Sequence, residues 1–411
     1  MSARRCTLDA LCQWEETSRF AADILGDLAT KHDLSGADRA LAQELLFGVI
    51  RNLFFLDGLV DLLRKGTIKS KTRNLLRMGL FQLFKTDIAE HAAVNETVAL
   101  ARKHEKGLVN AVLRSAQRRR GELDKEAESW PLEDRVSHPA FLIERWSAEH
   151  GPDAAVALCE WNNRPPEVFA RINPLAPDRE ALDRVRSETQ PCLVGPEYPD
   201  FFRVEGPLNY DWLREGLIYI QDPATSLACR LLDPKPGETV LDACAAPGGK
   251  SALLAAMMNN EGTIVATDSS APRIETLEEN LSRLGAANVR TSRVDWSSPD
   301  AETLESLPLF DAILLDVPCS NTGVMRRRVD VRWRLQPSDF ARHAEAQKQL
   351  LAMVRKKLAP GGRLVYSTCS IEKEENEAVV EEQADLAVEE TVRSLPWRDG
   401  FDGAFAALLR A

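Results

Sequence analysis

The sequence predicts an α/β protein. A Rossmann-like, doubly wound and mostly parallel sheet is expected over residues 219–411, preceded by an all-helical domain (1–120), a linker (121–136) and a small α+β connecting region (137–218). Three observations carry this. Apolar residues in the first 120 positions recur every three or four, the period of an amphipathic helix. From Tyr219 onward short apolar runs alternate with helical stretches, the pattern of a parallel sheet wound with helices. Acids and thiols then stand just past successive strand ends, where open α/β sheets hold their ligands.

In the helical part, Leu41, Leu45, Leu46, Val49, Leu53, Leu56, Val60 and Leu63 mark one face, and Leu75, Leu76, Leu80, Leu83 and Phe84 repeat it. Core packing accounts for these stripes. Off the stripes lie Arg51, Arg73, Arg77, Lys85, Arg102, Lys103, Lys106, Arg114 and Arg118 to Arg120, read either as a phosphate-facing surface or as a solvated basic face. The first 120 residues hold 20 Lys+Arg against 14 Asp+Glu, leaving 32 against 49 for the remainder and a net charge of −11. Such a balance argues against a general nucleic-acid binder, while the basic N-terminal third allows an RNA or DNA partner.

The polar run GELDKEAESWPLEDRV reads as a linker. Helices are expected over Ala140–His150 and Asp153–Asn162, and short strands near Glu167–Ile172 and Phe201–Val204. In the sheet, Thr239–Ala243, Thr263–Thr267, Asn288–Val294, Ala312–Leu315 and Arg363–Tyr366 are the expected strands. The first runs into the glycine-bearing turn CAAPGGKS. The second ends at Asp268, twenty residues past Gly248, the interval at which dinucleotide-type folds present a carboxylate to a ribose. The third ends at Asp295. The fourth stops at Asp316, with Cys319 three residues on and the turn formers Ser320, Asn321, Thr322 and Gly323 after it, and the fifth ends in Ser367, Thr368, Cys369 and Ser370. The turn is not G-x-G-x-x-G and lacks phosphate-cradle spacing, so pyrophosphate is poorly supported. An adenosine with a sulfonium and amino-acid tail suits it better, with Asp268 on the ribose hydroxyls and Asp295 accepting from an adenine amino group.

No stretch of eighteen apolar residues suggests a transmembrane helix, and the N-terminus has no apolar signal region. Eight scattered cysteines without a CxxC pair suggest reduced thiols in a cytoplasmic protein, and six scattered histidines offer no metal-ligand spacing. No metal and no membrane are expected, and the expected state is a monomer.

LDACAAPGGKS, LLDVPCSNTGV and LVYSTCSIEKEEN, in this order and spacing, closely resemble the S-adenosylmethionine-dependent RNA cytosine-C5 methyltransferases of the NOL1/NOP2/Sun family. KTRNLLRMGLFQLF, HAAVNETVALAR and GLVNAVLR resemble the NusB-like helical domain of its bacterial members, and NNRPPEVFARINPL and IYIQDPATSLA the connecting region. The resemblance covers nearly the whole chain. It implies a Rossmann-like methyltransferase domain, S-adenosyl-L-methionine as cofactor and 16S ribosomal RNA as partner. It also implies that Cys244, Ala245, Ala246, Pro247, Gly248, Gly249 and Lys250 form the cofactor loop, with Asp268, Asp295 and Asp316 completing the cofactor site. Cys369 would be the nucleophile, Cys319 the residue for product release, and Asp316 the group positioning the base. Arg326, Arg327 and Arg328 are read as RNA contacts, and Trp333 as stacking on or clamping the base, with core packing its alternative.

The chemistry needs such residues. Carbon 5 of cytosine is a weak nucleophile, and a thiolate adding at carbon 6 converts the ring into an enamine-like species that can attack a methyl sulfonium. Two other readings compete. A DNA cytosine-C5 methyltransferase would use the PC cysteine and carry a late target-recognition region, yet only 42 residues follow Cys369. A non-catalytic NusB-like RNA-binding assembly factor would have no chemical need for Asp268, Asp316, Cys319 and Cys369 together.

Overall fold

The protein is represented by a computed structural model describing residues 1–383 and 385–410. It folds as two compact units, residues 1–164 with 325–334, and residues 165–324 with 335–411.

The first unit is helical: α1 (Ala3–Glu16), α2 (Ala21–Lys31), α3 (Gly36–Arg51), α4 (Leu53–Leu63), α5 (Ser70–Lys85), α6 (Glu90–Leu100), α7 (Lys106–Arg118), α8 (Arg120–Glu128), α9 (Leu132–Val136), α10 (Ala140–His150) and α11 (Pro152–Asn163). The expected stripes are its core: Leu45, Leu46, Val49, Leu56, Val60, Leu75, Leu76, Leu80 and Leu83 are all buried. The run from Leu41 to Leu63 is two helices, broken at Asn52, whose side-chain amide donates back to the Gly48 carbonyl at 2.8 Å. This is the local competition by which asparagine ends helices.

Residues 121–136 are not a linker. Leu123 and Ala127, one turn apart on α8, are buried, and Trp130 packs on Phe55 with ring centroids 5.7 Å apart. Two apolar residues at i and i+4 are enough to dock a helix that is otherwise charged. Residues 137–164, the first part of the expected connecting region, are helical and pack with the helices of the first unit.

Several cations expected on a phosphate-facing surface have other work. Arg51 is buried and donates to the Arg326 carbonyl. Arg77 is buried and pairs with Asp57 and Glu15, Arg73 pairs with Asp57 and Asp61, and Lys85 lies 4.2 Å over the Phe55 ring. Arg102, Lys103, Lys106, Arg118 and Arg120 remain exposed.

In the second unit, β1 (Phe169–Ile172), β2 (Phe201–Arg203) and β3 (Ile218–Ile220) form an antiparallel sheet in the order β2-β1-β3. The main sheet holds β4 (Thr239–Asp242), β5 (Thr263–Asp268), β6 (Val289–Arg293), β7 (Phe310–Asp316), β8 (Leu358–Thr368), β9 (Ala387–Ser394) and β10 (Ala404–Arg410), in the order β6-β5-β4-β7-β8-β10-β9. β4 to β8 are parallel, while β10 runs antiparallel to β8 and β9. Alternate residues of β7 and β8 feed two apolar layers, Ala312, Leu314 and Val365 into one and Ile313, Leu315, Leu364 and Tyr366 into the other. Both faces are covered, as a parallel sheet requires. The five expected strands stand within a few residues of their expected limits, and the β9–β10 hairpin completes the tail. Strand order and direction thus bring the C-terminal ends of β4, β5, β7 and β8 to one edge. Among the described residues, no helix is long and apolar enough to cross a membrane.

Candidate active site

β7 and β8 are paired neighbours, with Asp316 opposite Ser367. The loops that follow them therefore leave the sheet side by side. The Cys319 and Cys369 sulfurs lie 3.2 Å apart, Cys319 buried and Cys369 half-buried.

Both loops are held by a dense polar knot. Gly323 N–H donates to the Cys369 carbonyl at 3.0 Å, and a Cβ at Gly323 would stand 2.6 Å from that oxygen, so only glycine lets the two backbones approach. The Ser370 hydroxyl lies 3.2 Å from those of Ser320 and Thr322 and donates to Glu375 at 3.0 Å. Glu375, wholly buried, also accepts from the Ser320 amide and the Gln347 side chain, at 2.8 and 3.0 Å. Thr368 donates to Asn376 at 2.6 Å, and Asn376 returns a bond to the Ser370 carbonyl at 3.0 Å. Apart from Gln347 Oε1, which is buried without a donor, the polar atoms named here are paired, and buried networks of this kind rigidify the geometry they hold.

The cysteines are not equivalent. The hydrogen bond to Cys369 raises the Cys319 thiol well above the ordinary range, with burial second and the negative charge of Glu375 adding to it. The distance alone lets either sulfur donate, but the Cys369 proton is turned to Asn321 Oδ1 at 3.3 Å, which leaves Cys319 as the donor to the Cys369 sulfur.

Asp316 accepts from Lys250 Nζ and from the Ser367 hydroxyl, both at 2.7 Å. Burial alone would lower the Lys250 ammonium, but the Asp316 carboxylate reverses the effect and the net shift is upward. Lys250, Asp316, Thr368, Cys369, Asp402 and Phe405 line one cleft.

The loop Cys244 to Lys250 joins β4 to the helix Gly249–Met257. Gly248, at φ +105°, makes the turn in a backbone region that side chains disfavour. Its N–H donates to the Ala245 carbonyl, while Arg273 and Asn280 hold the Ala246 and Pro247 carbonyls at 2.8 and 2.9 Å. Ala245, Ala246, Gly248 and Gly249 are buried, Cys244 and Lys250 half-buried and Pro247 exposed. Burial keeps the Cys244 thiol protonated, its shift being upward.

Two acceptors beside this loop lack donors. Asp268 is buried at the end of β5. One oxygen accepts from the Ser270 amide at 3.1 Å; the other lies 3.3 Å from Arg273 without hydrogen-bond geometry. Asp242, at the end of β4, accepts from Ser251 at 2.6 Å through one oxygen, and its other oxygen is buried without a donor. Burial, with Asp316 adding to it, raises the Asp242 carboxyl to about 7. A ligand presenting hydroxyl groups at the edge of β5 would satisfy Asp268, and this chemistry fits a ribose. Asp295 lies beyond β6, exposed; the Ser297 hydroxyl and amide hold its carboxyl below the usual range.

The four expected RNA contacts lie in the helical unit. Arg326 is buried 4.0 Å over the Trp161 ring, and Trp333 packs edge-on against Phe54 and donates to the Ile50 carbonyl. Arg326 is thus turned into the unit rather than toward solvent, and Trp333, half-buried against the helical core, fits the core-packing alternative of its reading. Val329 packs in the helical core, and its neighbours Met325 and Val331 are buried as well. Arg327 is half-buried and Arg328 exposed. Sequence reasoning missed Arg273, Glu375 and Asp402, and saw in Ser367 only a strand end and in Asn321 only a turn former. Ser367 and Asn321 each sit within two residues of a singled-out cysteine, which was the available signal.

A sequence profile described as 16S rRNA methyltransferase RsmB/F matches residues 229–399, a NusB family profile matches residues 1–118, and a Methyltr_RsmF/B-like, ferredoxin-like domain profile matches 138–210. Ribosomal RNA small subunit methyltransferase B of Escherichia coli (strain K12) is 35% identical over 99% of this chain and 98% of its own length. The chain belongs to the RsmB/F family of 16S rRNA methyltransferases. A second relative in the family, the probable ribosomal RNA small subunit methyltransferase B of Bacillus subtilis (strain 168), is 34% identical over 92% of this chain and 87% of its own length. Among solved structures, PH0851 superposes with a TM-score of 0.78 at 26% identity, covering 100% of this chain and 98% of its own. A methyltransferase homologue from Pyrococcus horikoshii gives 0.58 at 30% identity over 68% of this chain and 97% of its own. Membership and the resemblance read from the three motifs agree.

Proposed function

We propose that the protein methylates carbon 5 of a cytosine in 16S ribosomal RNA, with S-adenosyl-L-methionine as methyl donor, through a covalent adduct between Cys369 and cytosine carbon 6. The observation that carries the reading is the pair of sulfurs 3.2 Å apart beside the Lys250–Asp316 pair, in a chain of this family.

The cofactor loop 244–250, Asp268, Asp295 and Asp316 would hold the donor, which when bound supplies an electrophilic methyl group on sulfonium. Asp316 is held by Lys250 and Ser367, and its remaining lone pairs can accept from the cytosine N4 amino group and fix the ring. The Cys369 thiolate adds to carbon 6, forming the S–C bond and moving electron density to carbon 5, which attacks the methyl group. The Cys319 S–H donates to the Cys369 sulfur while that sulfur carries charge. Once Cys369 is bound to carbon, the hydrogen bond that does most to hold the Cys319 proton is weakened. Cys319 can then lose its proton to solvent and remove the proton at carbon 5. The electron pair left behind expels Cys369, restoring the aromatic ring.

The test is methyl transfer from labelled donor to 16S-derived RNA. We expect Cys369→Ala to lose at least about a thousandfold in rate, the scale on which covalent catalysis fails without its nucleophile. Transfer at the wild-type rate would refute the nucleophile assignment.

A further inference from the structure

Asn321 contacts the sulfur to which the nucleophilic role falls, and its geometry allows one direction of hydrogen bonding. Its side-chain Nδ2 donates to the Cys319 carbonyl at 2.8 Å, and a carbonyl can only accept, so the amide orientation is fixed. The other end of the amide, Oδ1, then faces Cys369 Sγ at 3.3 Å, and an oxygen facing a sulfur can only receive its proton. The bonds close a ring: Cys319 S–H to the Cys369 sulfur, Cys369 S–H to Asn321 Oδ1, and Asn321 N–H to the Cys319 carbonyl. The backbone suits it, since Asn321 sits at φ +60°, a left-handed conformation that asparagine and glycine tolerate best.

We propose that Asn321 is a positioning residue that holds Cys369 as a resting thiol and restrains its reactivity until substrate displaces the contact. An amide oxygen stabilises S–H and repels S⁻, so it acts against the thiolate, whereas the Cys319 S–H acts for it. The nucleophile is thus held between one group favouring each form. Asn321 cannot take up the proton, so attack requires Cys369 to turn from Oδ1 or lose its proton to solvent. Other charged groups face the same sulfur pair: Lys250, Asp316 and Asp402 line the cleft, and Glu375 lies behind Cys319. None of these bonds to Cys369 Sγ in the contacts above. The proposal rests on Cys369 as the nucleophile, but its test needs neither RNA nor methyl donor.

The experiment measures carboxamidomethylation of Cys369 by iodoacetamide in the full-length protein between pH 6 and 9. Each rate is taken as a ratio to Cys192 in the same sample, a half-buried thiol elsewhere in the chain. Asn321→Gly removes both side-chain bonds while keeping the backbone unstrained, and Asn321→Asp sets a carboxylate against the sulfur. At pH 7 we expect the ratio to rise about three- to tenfold in Asn321→Gly, the worth of one neutral hydrogen bond, and to fall in Asn321→Asp. The profiles should move to lower and higher pH respectively. A merely structural role would move both variants in the same direction; that result, or ratios within about twofold of wild type in both, overturns the proposal. Failure of Cys369→Ala to lose methyl transfer would instead refute the nucleophile assignment without altering the alkylation ratios.

Discussion

Two polar-rich segments of this chain, one following the other in sequence, end in opposite environments. Residues 316–323 leave a sheet edge and hold their polar atoms in a knot beside a cleft. Residues 325–334 carry five arginines, of which Arg326 and Arg332 are buried in the helical unit. Arg332 is fully buried with no carboxylate among its hydrogen-bond partners in the described residues: it donates to the carbonyls of Arg51, Ser137 and Asn162 and to the side chain of Asn163. Burial, and then the charge of Arg51, lowers its guanidinium to about 9. The difference teaches that positive charge in a sequence does not locate nucleic acid. Strand direction does locate chemistry, because parallel strands bring all their C-terminal ends to one edge.

The sharpest way to break the comparison is at Arg332. If its role is structural, Arg332→Met should destabilise the helical unit by about 3 kcal/mol, since the carbonyls it satisfies are left buried and unpaired. Thermal unfolding followed by helical circular dichroism checks this. An unchanged transition with weakened RNA binding would return Arg332 to the nucleic-acid interface.

The two units should also answer pH with opposite sign. Burial, with Arg332 beside it, depresses His138 well below 6.5, so the unfolded chain takes up a proton there that the folded one refuses, and stability is lost as pH falls below about 6.5. Asp242 is raised from 3.8 to about 7, so its contribution is present below about pH 4 and lost as pH rises through 7. Asp242→Asn, which can still accept from Ser251, should therefore be more stable than wild type at pH 8 and indistinguishable from it near pH 4. His138→Gln should flatten the acid limb alone. Calorimetry at the two extremes reads both effects, and a constant Asp242→Asn difference across the range would contradict the assigned cause.

The smallest effect concerns the cations left exposed. If Arg102, Lys103 and Lys106 meet phosphate, replacing all three with glutamine should reduce the salt slope of RNA binding by up to about 2, at roughly 0.7 per contact to a single strand. An unchanged slope would give that face another role.

Much of the catalytic unit was legible because its signals are local. A buried strand ending in an acid or thiol is written in consecutive residues, and Asp268, Asp316, Cys319 and Cys369 stand at the strand ends where the alternation put them. What was not legible depends on distant partners. GELDKEAESWPLEDRV reads as a linker until Leu123 and Ala127 meet a core built from residues 1–118. Arg77 reads as a surface cation until Glu15 and Asp57 meet it. Asn321 reads as a turn residue until β8 carries Cys369 alongside, and no periodicity encodes that encounter.

The account stands on a division of labour between two sulfurs. Its most direct test incubates Cys319→Ala with 16S-derived RNA and S-adenosyl-L-methionine, then maps any denaturant-resistant protein–RNA adduct by mass spectrometry. The account predicts an accumulating adduct whose peptide is cross-linked at Cys369. An inactive Cys319→Ala that forms no adduct would contradict it, as would an adduct that persists in Cys319→Ala/Cys369→Ala.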